Sequence, residues 1–221
     1  LKQRFLPGLT ALTMHDLQQG AMFLTEKQGG SDVGLTATIA RPIDEASLQE
    51  PQWQLWGEKW FCSNASADLI LTLARPEGAP SGTRGLGLFL VPRMLDDGTR
   101  NSYTIERLKD KLGTRSLATG EVTLHGAQAY LVGDLGRGFV QMTEMINLTR
   151  IWAAIGSLAA MRRSYLEAVV HTRSRIVFGR PLAEHALMRR QLVDLLIEVE
   201  GCAALAFETI AVLERVDRGG S

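Results

Sequence analysis

One change of hydrophobic rhythm constrains this chain more than any other feature. From Ala21 to about Val132, apolar residues come in short runs between Gly, Pro and Ser turns; from Phe139 onward they recur at helical spacing, with no proline before Pro181. The first region reads as a series of strands. TATIARP (36–42) alternates, WQLWGEKWF (53–61) alternates around a turn at Gly57, and LILTLA (69–74) and LGLFLVP (86–92) are short apolar runs. SYTIERL (102–108), GEVTLHG (120–126) and AQAYLV (127–132) continue the series. Strands this short at such regular spacing predict a compact antiparallel barrel or sandwich. RPEGAPSGTRG (75–85) reads as a long hairpin loop within it.

Beyond GDLGRG (133–138) the pattern predicts one long helix to about Ile176, with Met142, Met145, Ile146, Ile151, Ala154, Ile155, Leu158, Met161 and Tyr165 on its apolar face. FGRP breaks the chain at Gly179 and Pro181. A second helix then runs from about Glu184 to Arg215, with Leu192, Leu195, Leu196, Val199, Ala203 and Phe207 on one face. Two antiparallel helices cannot bury faces this broad against each other alone. They call for further helices, from more of the chain or from another subunit. The expected fold class is therefore α+β, a barrel followed by part of a helical bundle.

Composition removes several functions. Lys plus Arg equals Asp plus Glu at 24 each, so net charge offers no general attraction to nucleic acid or an acidic membrane. No apolar run reaches the roughly 20 residues that span a bilayer, which predicts a soluble, cytoplasmic protein. Cys62 and Cys202 lack ligand spacing and suit buried free thiols. His15, His125, His171 and His185 are scattered, so no metal site is expected, and there is no GxSxG elbow for a serine hydrolase. GTRGLG and GDLGRG lack the strand, glycine fingerprint and helix order of a dinucleotide fold. The basic pairs Arg162, Arg163 and Arg189, Arg190 read as solvated helix faces.

The segment LTEKQGGSDVG (24–34) is the richest in chemistry. Its adjacent Gly29 and Gly30 can take positive φ and carry no Cβ, so backbone N–H groups can converge on a ligand. Thr25 and Ser31 frame it with hydroxyls. By itself the segment also reads as an ordinary surface turn.

TEKQGGSDV, then GEKWFCSN, RLKDKLGTRS and FGRPLAEH, in that order over nearly the whole chain, resemble the acyl-CoA dehydrogenase family. The forms TEKQGGSDV, KWF and LKDKLGTRS are closest to its AidB-type branch. The resemblance implies the end of an N-terminal helical domain at 1–20, a middle β-barrel domain at 21–133, and the first two helices of a C-terminal four-helix bundle at 134–221. It also implies FAD as cofactor. Met22, Leu24 and Thr25 correspond to the strand along the flavin, and Gly30 and Ser31 to the loop that meets it. Phe61 and Ser63 stand where most members have Trp and Thr, stacking near the ring and hydrogen bonding close to N5. Arg175 and Phe178 match the segment that reaches the FAD of a neighbouring subunit, and a guanidinium there suits phosphate oxygens. Val177 replaces a common Thr beside them.

The reaction the resemblance implies is α,β-dehydrogenation of an acyl-CoA thioester, a Glu taking the α-proton while hydride goes to flavin N5. Ser31 and Arg150 are the matched substrate-side residues. Thr149 occupies the base position of one branch, so the Glu is expected beyond Ser221 and this piece alone is expected to be inactive. An electron-accepting flavoprotein and a dimeric or tetrameric assembly are the implied partners. The alternative from the AidB-type branch is a flavoprotein that binds or protects DNA, through the region C-terminal to this chain, with weak dehydrogenation.

Overall fold

A computed structural model describes residues 1–43 and 52–219, so the final two positions of the expected C-terminal segment lie outside the described residues. Two compact units emerge, Leu1–Thr143 and Glu144–Ser221. In the first, a short helix α1 (Lys2–Leu9) lays Phe5 edge-on against Tyr130, with ring centroids 5.6 Å apart. Seven strands follow: β1 (Gly20–Phe23), β2 (Ile39–Pro42), β3 (Trp53–Ser63), β4 (Leu69–Pro76), β5 (Gly87–Pro92), β6 (Tyr103–Leu108) and β7 (Thr119–Val132).

The strands close into a barrel. β4 pairs β2, β2 pairs β3, β3 pairs β7, β7 pairs β5, and β5 returns to β4, while β1 flanks β4 and β6 flanks β7. Most ladders are antiparallel, as the short spacing predicts; β1 and β2 instead run parallel to β4. Closure removes the free edges of the five strands β2, β3, β4, β5 and β7, while β6 stays exposed with one paired side. It also explains the two sequence patterns. LILTLA and GLFLVP are apolar but for Thr72, whose buried hydroxyl donates to the Phe23 carbonyl, because β4 and β5 lie almost wholly inside, whereas β3 alternates between the core and the outer face. Phe23, Leu55, Ile70, Phe89, Val91, Val122 and Leu124 fill the centre.

Two expected boundaries differ. β3 runs through Gly57 without turning, and the two segments on either side of Gly126 form one strand, β7. Gly126 is the extra residue of a bulge: Leu55 pairs with Ala127 and Trp56 with His125, leaving Gly126 unopposed at φ +81°. A Cβ there would lie 2.7 Å from the Trp56 ring, so only glycine fits. A turn residue in the sequence thus serves as a bend inside a strand.

The second unit holds most of helix α2 (Gly138–Ser174), a two-residue hairpin of β8 (Ile176–Val177) and β9 (Arg180–Pro181), and helix α3 (Ala186–Asp217). The hairpin was not expected; Phe178 and Gly179 make its turn at φ +50° and +78°, the left-handed pair that two-residue hairpins favour. The helices run antiparallel. Ile151, Ile155, Leu158 and Met161 of α2 face Cys202 and Ala206 of α3 across an apolar groove of about 300 Å³. On α3 the inward stripe is Leu192, Leu196, Val199, Ala203 and Ala206, whereas Leu195 and Phe207, expected on that face, are exposed. Trp152 is 77% exposed and Leu205 71%. Among the described residues, no helix is long and apolar enough to cross a membrane.

Candidate functional site

Seven of the residues singled out in the sequence come together on one strip of the barrel. The chain from Gly20 to Thr25 runs antiparallel beside Trp60–Asn64, tied at one end by Asn64 Nδ2 donating to the Gly20 carbonyl (3.4 Å) and at the other by the Trp60 N–H donating to the Thr25 carbonyl (2.8 Å). Met22, Leu24 and Thr25 therefore lie alongside Phe61 and Ser63. Gly30 and Ser31 return over Thr25, and a Cβ on Gly30 would sit 2.9 Å from the Thr25 hydroxyl. The glycines act differently from the expected nest of outward N–H groups. Gly29 does take φ +128°, but its N–H closes a turn onto the Glu26 carbonyl at 3.0 Å.

β3 aims its aromatic ring by a second bulge. Lys59 pairs with Val122 and Cys62 with Gly120, so three steps on β3 oppose two on β7. The irregularity falls at Trp60 and Phe61 and leaves Phe61 54% exposed between the part-buried Trp60 and the buried Cys62. Bulges commonly re-aim a side chain next to a site. Phe61, the Thr25, Ser31 and Ser63 hydroxyls and backbone free of side chains at Gly30 form a donor set suited to a flat ring with polar edges.

A group that sequence reasoning missed lies directly beneath. Glu26 and Lys59 form a buried ion pair, Nζ to Oε1 2.7 Å, with side chains 4% and 0% exposed. The carboxylate also accepts from the Ala37 N–H (2.7 Å), the Thr38 hydroxyl (2.6 Å) and Gln28 Nε2 (2.6 Å), while Lys59 donates a second bond to the Leu73 carbonyl at 2.9 Å. Burial alone would push the Glu26 carboxyl up; the Lys59 ammonium and the Thr38 and Ala37 donors outweigh it and hold the carboxyl at about 2. Burial pulls Lys59 down, opposed by Glu26. Because Glu26 follows Thr25 and Lys59 precedes Trp60, the pair fastens the two halves of the strip from inside. Strand parity was the available signal: Lys59 shares the inward phase of Leu55.

Behind Phe61, Lys109 Nζ lies 3.3 Å from the centre of the Trp60 ring and 4.6 Å from that of Phe61, held by Glu121 at 2.7 Å. Burial raises the nearby Cys62 thiol to about 12, so it is no nucleophile. Among the described residues, no cluster of His, Cys, Asp or Glu could hold a metal ion.

The remaining candidates lie in the second unit. Arg175 follows the end of α2, its N–H bonded to the His171 carbonyl at 2.9 Å and its carbonyl accepting from the Leu182 N–H at 2.8 Å. Phe178 stands 94% exposed at the hairpin tip, its turn braced by His185, whose Nε2 lies 2.9 Å from the Val177 carbonyl. Arg175 and Phe178 thus share one projecting finger. Arg150 does not join them: it is exposed on α2, 25 residues upstream, roughly 35 Å along a helix.

Comparison with known proteins gives a consistent result. The family described as acyl-CoA dehydrogenase, middle domain, matches residues 21–127, and acyl-CoA dehydrogenase, C-terminal domain, matches residues 136–220. The chain is 42% identical to AidB of Escherichia coli (strain K12), over 88% of this chain and 34% of AidB. Among solved structures, Caenorhabditis elegans ACDH-11 in complex with C11-CoA superposes with a TM-score of 0.84 at 37% identity, over 94% of this chain and 35% of ACDH-11. The apo form of Bd2924 gives 0.91 at 36% identity, over all of this chain and 44% of that protein. The chain spans about a third of the length of the curated relatives it matches.

Proposed function

The chain belongs to the acyl-CoA dehydrogenase family, and from that premise we propose that it carries the flavin-facing part of an FAD-dependent oxidoreductase that dehydrogenates an acyl-CoA thioester. The observation that carries this reading is the strip of Met22, Leu24, Thr25, Gly30, Ser31, Phe61 and Ser63. It offers an exposed aromatic face and three hydroxyls where a barrel gains nothing from exposing them. When bound, FAD supplies the acceptor for the hydride. Thr25 and Ser63 hydrogen bond to its polar edges in this reading, Phe61 covers one face against water, and Gly30 leaves the backbone open to close approach. Ser31 and Arg150 serve the substrate. An acyl-CoA is the substrate class because ACDH-11, 37% identical, was solved with C11-CoA. Arg175 and Phe178 reach FAD phosphate and adenine in a neighbouring subunit, so the working assembly is a homo-oligomer.

The test uses the full-length protein. It should purify yellow, or become so on reconstitution with FAD, and Phe61→Ala with Ser63→Ala should weaken FAD retention while leaving the circular dichroism spectrum unchanged. No bound FAD by absorbance and mass spectrometry after reconstitution with excess cofactor overturns the reading.

A further inference from the structure

The loop between β6 and β7 is built around one ammonium group. Lys111 Nζ shares its three N–H groups among four acceptors, the Leu117 carbonyl (2.6 Å), the Thr114 carbonyl (2.7 Å), the Thr119 hydroxyl (3.0 Å) and, farthest, the Thr114 hydroxyl (3.3 Å). Thr114 adopts φ +51° to bring its carbonyl round, and Arg115 closes the loop by donating to the Lys111 carbonyl at 2.8 Å while pairing with Asp110. All the acceptors of Lys111 are neutral. Among the described residues no carboxylate pairs with it, unlike Lys109, which Glu121 neutralises.

The Thr119 oxygen that receives Lys111 lies 3.5 Å from Ser63 Oγ, and Thr119 itself is buried. An ammonium can only donate, so the Thr119 hydrogen is driven away from Lys111. The acceptor that the structure places beside it is Ser63 Oγ, at 3.5 Å the long end of hydrogen-bond range. Ser63 then receives a hydrogen bond from behind and keeps its own hydrogen for the exposed strip. Such chains polarise one another, and a fixed charge at one end strengthens the donor at the other.

We propose that Lys111, acting through Thr119, is a positioning residue that fixes Ser63 as a hydrogen-bond donor toward the flavin and favours the electron-rich form of that ring. The inference rests on the flavin reading above. It predicts a charge-dependent reduction potential, which a merely structural loop lysine would not produce.

The experiment measures the two-electron reduction potential of the FAD-loaded full-length protein by dye equilibration. Lys111→Met should move the oxidised-to-reduced ratio at fixed potential about tenfold toward oxidised, the scale of one net hydrogen bond, which is about 30 mV downward for a two-electron couple. Thr119→Val, which keeps the shape and the charge but cuts the relay, should shift it in the same direction, and Lys111→Arg should stay within about threefold of wild type. In a Ser63→Ala background, Thr119→Val should add nothing, since coupled residues are non-additive. A wild-type potential in Thr119→Val with FAD bound overturns the proposal, and that variant decides the matter if Lys111→Met loses the cofactor. Equal shifts in Lys111→Arg and Lys111→Met also overturn it. Failure of wild type itself to hold FAD would overturn the flavin reading, a different outcome.

Discussion

The barrel and the helical pair answer the same problem of burying apolar surface in opposite ways. The barrel closes on itself, so Phe89, Leu55 and Ile70 are fully enclosed, and it shelters an ion pair in its interior. The two helices bury one narrow seam around Leu158 and Val199 and leave Trp152, Leu187, Leu205 and Phe207 facing outward. One unit carries its own stability; the other has apolar faces that other helices or another subunit must cover. The chemistry divides along the same line. Groups proposed to face the flavin ring stand on the closed unit, whereas Arg175 and Phe178, proposed to reach a neighbour's cofactor, stand on the open one.

The largest expected effect concerns the catalytic base, which we propose lies beyond Ser221. The 221-residue chain, even loaded with FAD, should dehydrogenate no acyl-CoA. Thr149, at the base position that the resemblance implies, spends its hydroxyl on the Met145 carbonyl at 3.1 Å. Glu144 lies five residues earlier, about 140° around the helix. Anaerobic mixing with a panel of acyl-CoAs checks this: bleaching of the flavin band by the 221-residue chain would place a base within it.

Next in size is the barrel's buried pair. Glu26→Ala strands the Lys59 ammonium in the core and should cost about 3 to 5 kcal/mol in chemical unfolding, because breaking a buried pair leaves an uncompensated charge. Replacing both partners, Glu26→Leu with Lys59→Met, should cost much less than the two single changes summed. The pH dependence has a definite sign. Glu26 is held at about 2, below its unfolded value, so its contribution is complete above the ordinary carboxylate range and is lost as pH falls from there toward about 2. The double variant should lack that acid-sensitive component. A single-variant cost under about 1 kcal/mol would mean that the pair does not fasten the strip.

Much of this architecture was legible because hydrophobic period reports secondary structure directly. The barrel, the long helices and the surplus of apolar helix surface all follow from it. What escaped had local signals that tertiary structure overrode. Gly57 and Gly126 read as turns because glycine usually punctuates, yet here one lies within a continuous strand and the other forms a bulge. Helical spacing puts Leu195 and Phe207 near the inner stripe of α3, but the seam is narrower than the apolar surface and both fall outside it. The candidate site residues stand out through four motifs in order, whereas Lys59 is signalled only by its strand phase and Lys111 looks like a surface lysine until the structure shows what surrounds it.

A smaller effect should separate cofactor chemistry from folding in the helical unit. Arg175→Ala removes a side chain that is exposed in this chain, so unfolding should barely change. FAD affinity of the full-length oligomer should fall by about tenfold to a hundredfold, the worth of a hydrogen bond to a charged group. Unchanged affinity, measured by flavin release on dilution, would show that Arg175 points elsewhere.

The smallest expected effect, that of Phe207→Ala, tests the comparison most sharply when the same substitution is made in the barrel. Phe89→Ala, in the closed barrel, should cost about 3 to 5 kcal/mol, since it removes a fully enclosed ring and leaves a cavity. Phe207→Ala, on a ring already 61% exposed, should change the stability of the 221-residue chain by less than about 0.5 kcal/mol. In a full-length protein of the relatives' size, further helices would cover that face, and Phe207→Ala should then become costly while the cost of Phe89→Ala stays the same. Calorimetry or denaturant unfolding of both substitutions in both chains gives four numbers. A Phe207 cost that remains small in the longer protein would show that this face stays uncovered, and the contrast between a self-sufficient barrel and a dependent helical pair would have to be withdrawn.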